Sequence, residues 1–303
     1  MSFIDISGRK IYYEEYGRGN APTLVYLHGG PGESCLTYTC QAKRLGEFFH
    51  VISFDQYGVF RSDPVGEEAL TVRELVRMTE EMRKALGVKS WIPLGHSFGG
   101  MLALLYASAY PDSTDGVIYD CPMWSALHTA RAIASAVLPF FEQNGVSDQA
   151  ELCREILEDG ISPRDAFEKS MTISLSDELS RYCHVITDEK YNSYIEERIP
   201  DPEVAEDCWR RFAAFQQKLF ESEDFYEDCL PLISKITKPQ FLMLGEYDMT
   251  CGRTEQEFFA KNAPIGWTEI IPDCAHLTWF EYPDKYTELI RRNAEAIVSE
   301  QRP

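Results

Sequence analysis

The chain has 303 residues, 44% of them hydrophobic, enough to bury one large core or a core carrying an inserted module. Acidic residues outnumber basic ones 49 to 29, for a formal charge of −20; this argues against a nucleic-acid partner, because a phosphate backbone needs a basic face. No run approaches the roughly 18 apolar residues of a membrane span.

The excess charge is uneven. Over residues 147–228, 22 Asp and Glu face 9 Lys and Arg. Such a surface is either a well-solvated helical face or a field that draws in amine-bearing substrates. The opening Met-Ser-Phe-Ile-Asp-Ile lacks the basic start and apolar run of a signal peptide. Nine cysteines, odd in number and without a C-x-x-C pair, read as reduced thiols of a cytoplasmic protein. No H-E-x-x-H or paired Cys/His spacing points to a metal.

In chain order, residues 3–16 read as two short strands with a turn at Ser7-Gly8. Leu24-Val25-Tyr26-Leu27 is a buried strand ended by His28-Gly29-Gly30-Pro31-Gly32. Residues 51–54 form another, ended by Asp55-Gln56-Tyr57-Gly58, with room for a crossover helix between the two. Thr71-Val72-Arg73-Glu74 is a capping box. Apolar positions at 72, 75, 82 and 86 follow it, and Gly87 stands where that helix should stop.

Residues 91–94 are apolar and lead into Gly95-His96-Ser97-Phe98-Gly99, followed by a small-residue helix pattern to Ala109. Gly-x-Ser-x-Gly between a strand and a helix is the context of a nucleophile elbow. The tight turn leaves no room for side chains at Gly95 and Gly99. It lifts the Ser97 hydroxyl clear at a helix N-terminus, where negative charge is favoured. A further strand covers 117–119.

From 124 to about 228 the pattern is helical throughout, with Ser147, Ser162, Ser176 and Asp201 as starts and Pro163 and Pro202 in first-turn positions. Alternation resumes with a strand at 240–244, a helix around 254–261, a strand at 268–271 and a terminal helix over 284–299. Strand–helix alternation on both sides of a helical insertion predicts an α/β fold: residues 1–122 and 231–303 form a core with a mostly parallel sheet, and 123–230 an inserted helical cap.

A serine hydroxyl is a poor nucleophile at neutral pH unless an imidazole takes its proton. Of the six histidines, His28 and His96 sit beside motif glycines, where they brace loops. His50 precedes a strand, and His128 and His184 fall in the insertion. His276, in the loop between the last strand and the terminal helix, is the candidate base. Asp248 closes its strand segment and gives the order Ser97…Asp248…His276 expected for this architecture. Asp120, also at a strand end, is the alternative orienting acid, and Asp273 reads as a turn former. Backbone N–H groups of Gly30 and Phe98 are the candidate oxyanion donors; Pro31 has none to offer.

These motifs together resemble the α/β-hydrolase superfamily, and within it the proline iminopeptidase group of serine aminopeptidases. The matches are His28-Gly29-Gly30-Pro31-Gly32, Asp55-Gln56-Tyr57-Gly58 with Arg61-Ser62, Gly95 to Gly100, Gly245-Glu246-Tyr247-Asp248, and Asp273-Cys274-Ala275-His276-Leu277-Thr278. The resemblance implies Ser97, His276 and Asp248 as the triad and Gly30 and Phe98 as the oxyanion hole. It implies release of an N-terminal residue, often proline, from short peptides or amides without metal or organic cofactor. It also implies glutamates that hold the substrate ammonium. The position after the triad aspartate, glutamate in some members, is Met249 here. The cap motif Asn-Gly-Pro-x-Glu-Phe is missing, and Trp209-Arg210-Arg211-Phe212-Ala213 carries alanine where a variant motif has glutamate. Glu221, Glu223 and Glu246 are the remaining candidates for the ammonium, with Gly29 and Met249 beside the substrate. If no glutamate serves, an ester, lactone or N-acyl amide is the alternative substrate, with Met249 in an acyl pocket.

Overall fold

The computed structural model describes residues 2–17, 21–173, 199 and 201–299; Ser176 and His184 lie outside them. Eight strands form one sheet in the order β1-β2-β4-β3-β5-β6-β7-β8. They are β1 (Ser2–Ile6), β2 (Arg9–Tyr16), β3 (Thr23–Leu27), β4 (His50–Phe54), β5 (Ile92–His96), β6 (Val117–Asp120), β7 (Gln240–Gly245) and β8 (Gly266–Ile271). β1 pairs antiparallel with β2, and β2 with β4; every other pair is parallel.

The central strands are apolar runs rather than alternating ones because helices cover both of their faces. Val25 and Leu27 face one core, with helices Val72–Ala85 and Phe98–Ala109. Leu24 and Tyr26 face the other, with helices Thr39–Leu45 and Pro283–Ser299. A period of two thus divides one buried strand between two cores.

The predicted capping box forms only in part. Thr71 Oγ1 accepts the Glu74 N–H at 3.0 Å, but the Glu74 carboxylate turns to Arg9 and Arg77. Asp224, 152 positions beyond Val72, accepts the next orphan donors, the N–H groups of Val72 and Arg73. A charged side chain with two arginines in reach does better there than against one backbone N–H.

Helices Ala126–Gln143, Ser147–Leu157, Pro163–Ser170 and Pro202–Phe220 follow β6 in the chain, and no strand interrupts the described residues of 124–228. Ser162 and Asp201 cap their helices as expected. Ser147 also starts its helix as expected, as the first helical residue, with Val146 before it and no side-chain cap. Among the described residues, no helix is long and apolar enough to cross a membrane.

Candidate active site

The candidate site lies where β5, β6, β7 and the loop after β8 end. Ser97 has φ 54° and ψ −122°, a region that costs a non-glycine residue of the order of 1–3 kcal/mol and is tolerated only under tight constraint. The constraint is visible. A Cβ on Gly95 would stand 2.1 Å from the Gly99 carbonyl oxygen, and one on Gly99 would stand 2.0 Å from that of Leu27. Ser97 N–H donates to Asp120 O at 3.1 Å, and Met123 N–H donates to Ser97 O at 2.9 Å. From Trp91 to Gly100, Ser97 is the one residue that is not buried. Phe98 opens the helix, so its N–H has no intrahelical acceptor.

His276 Nδ1 is 2.7 Å from Asp248 Oδ1, and Thr250 Oγ1 lies 3.2 Å from the same nitrogen. Both partners are buried, their side chains 7% and 1% exposed. Asp248 also accepts the N–H of Thr250 at Oδ1 and of Cys251 at Oδ2. Burial alone would push this carboxyl up. The His276 hydrogen bond and charge, with the two backbone donors, outweigh it and hold the pKa below the ordinary value. An ionised Asp248 favours the proton on Nδ1, which leaves the Nε2 lone pair to act as acceptor.

The His276 ring packs against that of His96, centroids 4.7 Å apart, so it sits beside the residue that precedes Ser97.

The alternative acid has other work. Asp120 accepts from Thr278 Oγ1 at 2.6 Å and lies 3.0 Å from His96 Nδ1. Burial pushes the His96 pKa down, but the Asp120 charge and hydrogen bond bring it above its usual value. Asp273 has φ 53° and forms a turn. His28 accepts the Gln56 N–H at Nε2, and its Nδ1 faces Gly29 O. Burial pushes its pKa down, which keeps the ring neutral. His28 and His96 are therefore braces.

The Gly29-Gly30 loop packs directly on Ser97: a Cβ on Gly29 would lie 2.8 Å from Ser97 Cβ. The Asp55-Gln56 motif supports that loop. Gln56 Nε2 donates to His28 O, and the fully buried Asp55 accepts from Ser34 Oγ, Cys35 N and Arg61 Nε. Burial would raise the Asp55 pKa, yet Arg61 and Ser34 hold it down.

The carboxylates suggested for a substrate ammonium have other surroundings. Glu223 pairs with Arg164 at 2.7 Å with its side chain 89% exposed, and Glu246 accepts the Asp273 N–H at 2.9 Å. Glu221 is exposed at the end of its helix. Surface carboxylates settle on the nearest donor, which sequence spacing does not show. Met249 packs on an apolar cluster with Ala130 and Ala134.

Three groups were not singled out from sequence. Thr278 latches the His276 loop to Asp120. Glu281 accepts the Ala275 N–H with both oxygens, and burial pushes its pKa up to about 7 against the pull of backbone donors. Cys121 offers a sulfur that, with ligand atoms of Asp248 and His276, forms a set within 4.8 Å of one another. Sulfur, nitrogen and oxygen are zinc donors. Here burial pushes the thiol well above its ordinary pKa, away from the thiolate a metal needs.

A strained serine on a strand–helix elbow, with an Asp–His pair on neighbouring strand ends, is the arrangement of an α/β hydrolase. The family model for the alpha/beta hydrolase fold matches residues 22–283, and the chain belongs to that family. It is similar to a proline iminopeptidase of Arabidopsis thaliana, 26% identical over 287 residues, covering 88% of this chain and 72% of the relative. A proline iminopeptidase of Heyndrickxia coagulans is 24% identical over 302 residues, covering 95% and 96%. The crystal structure of a proline iminopeptidase-related protein from Thermus thermophilus superposes with a TM-score of 0.72 at 22% identity, over 98% of both chains; at that identity the likeness concerns the fold.

Proposed function

We propose that the protein is a serine hydrolase of the proline iminopeptidase type, removing an N-terminal residue from small peptides or amino-acid amides through an acyl-enzyme. Ser97 attacks the carbonyl, His276 takes its proton at Nε2 and returns it to the leaving amine, and Asp248 holds the ring and offsets its charge. The N–H groups of Gly30 and Phe98 receive the oxyanion. Residues 123–230 act as the cap over the core, and their acidic excess favours a cationic substrate end. No cofactor is required by this chemistry.

The observation that carries the reading is the 2.7 Å Asp248–His276 bond next to the strained Ser97. The test is a panel of aminoacyl arylamides, free and N-acylated, with Ser97→Ala as control. The free forms should turn over and the blocked forms should not. Equal or better turnover of blocked substrates removes the aminopeptidase reading. The placement of Glu223 on Arg164 and Glu246 on the Asp273 backbone favours a second reading: hydrolysis of a carboxylic ester, lactone or N-acyl amide by the same three residues. Its signature is ester turnover that added primary amines do not inhibit.

A further inference from the structure

The motif glycines at 32 and 58 and the carbonyl of Pro31 take no part in the chemistry above. All three meet one helix, Pro202–Phe220. The fully buried ring of Phe215 lies between the two glycines. A Cβ on Gly32 would stand 3.1 Å from Phe215 Cδ1, and one on Gly58 would stand 3.0 Å from Phe215 Cδ2. Both glycines hold positive φ, 95° and 92°, and their missing side chains let the ring close on both loops. The same Cβ on Gly32 would stand 3.2 Å from Phe212 Cδ2. One position on, Gln216 Nε2 donates to Pro31 O at 3.0 Å. Arg211 Nη1 donates to Ser62 O at 2.8 Å, and Lys218 Nζ donates to Glu67 O at 2.8 Å. The helix is thus fastened to both loops, on one side through the segment that contains Gly30. That segment is short and closed on itself, with the Glu33 N–H donating to Gly29 O at 3.2 Å, so a pull on Pro31 reaches the Gly30 N–H through one residue.

We propose that Gln216 and Phe215 are positioning residues for the oxyanion hole: the helix Pro202–Phe220 holds Pro31 and Gly32 so that the Gly30 N–H points where the tetrahedral oxyanion forms. The inference rests on the serine-hydrolase reading. An oxyanion donor contributes only in the transition state, so loosening the loop should lower kcat while ground-state binding stays as it was.

The test compares wild type with Gln216→Met, which keeps length and loses the donor, and Gly32→Ala, which presses on the ring and strains the loop backbone at φ 95°. The measurements are kcat and KM for nitrophenyl butyrate, the inhibition constant of an alkyl trifluoromethyl ketone that forms a tetrahedral adduct, and the pH midpoint of kcat. For Gln216→Met, kcat should fall about tenfold, part of the 10²–10³ of a lost donor, with KM within about twofold, ketone affinity weakened about tenfold and the pH midpoint unmoved. Gly32→Ala should follow the same pattern, and Gln216→Lys, which can donate to Pro31 O again, should recover part of the rate. A Gln216→Met kcat within about twofold of wild type, or a loss accompanied by a shifted pH midpoint, overturns the proposal while leaving the hydrolase reading intact. Wild type that a fluorophosphonate does not label, or labelling that survives in Ser97→Ala, overturns both.

Discussion

Asp248→Asn is the most informative single change. The carboxylate serves three donors: His276 Nδ1 and Thr250 N–H at Oδ1, and Cys251 N–H at Oδ2. Asparagine has one acceptor oxygen. With that oxygen at the Oδ1 position, its amide group faces the Cys251 N–H, donor against donor at 3.0 Å. With the oxygen at Oδ2, the amide faces Nδ1 and forces the ring proton to Nε2, the nitrogen that accepts from Ser97 in the proposed mechanism. The second orientation presents the nucleophile with a donor instead of a base, and in both the negative charge that offsets the imidazolium is gone. Where an orienting aspartate is neutralised without moving the ring, the loss is about 10⁴ in kcat, or about 5 kcal/mol of transition-state stabilisation. Steady-state kinetics on a nitrophenyl ester and an aminoacyl arylamide, with a thermal melt to show that the fold is intact, measures it. A loss below about tenfold would refute the assignment of Asp248 as orienting acid. If Asp120→Asn instead gave the large loss, the roles of the two aspartates would be exchanged. Asp120 touches His96 and Thr278, so its substitution should act by loosening the loop and cost much less.

Two further outcomes follow from the geometry. Gly99→Ala places a methyl 2.0 Å from Leu27 O and 2.9 Å from His28 O, both main chain, and should destabilise by about 3 kcal/mol or more. Gly87→Ala, at φ 68° with nothing within 4 Å, should cost only the left-handed backbone term of about 1–2 kcal/mol. Equal losses in urea denaturation would count against the crowded-elbow argument. Glu281→Gln should flatten the pH dependence of stability. With its folded pKa raised to about 7 from the ordinary 4.5, Glu281 stabilises the native state below pH 4.5, and that contribution is lost as pH rises through 7. The wild-type denaturation midpoint should therefore decline across that window relative to the variant. Parallel curves would show that the carboxyl titrates normally.

Much of this was legible in the sequence because it depends on local chemistry. The central strands are continuous apolar runs, the elbow needs glycine at both flanks of Ser97, and a loop histidine between the last strand and the terminal helix has few other uses. Capping was only partly legible. Thr71 reads correctly from its own neighbours, but Asp224 reaches that helix from 152 positions away. The suggested ammonium carboxylates could not be sorted by spacing, since Arg164 and the Asp273 backbone meet Glu223 and Glu246 only in space.

By itself the sequence determined the kind of fold and pointed to one candidate serine and a short list of candidate acids. Tertiary structure decided which acid meets which imidazole. Asp120 ends β6 and Asp248 lies in the loop just after β7, and adjacent strands in a parallel sheet present equivalent ends. In the β5–β6 register His96 stands opposite Asp120, which occupies that carboxylate, while the loop after β8 carries His276 over Asp248. Two motif glycines, both at positive φ, likewise turn out to border a phenylalanine far along the chain. A residue's absence of side chain is written in the sequence; what fills the space is fixed only when the layers pack.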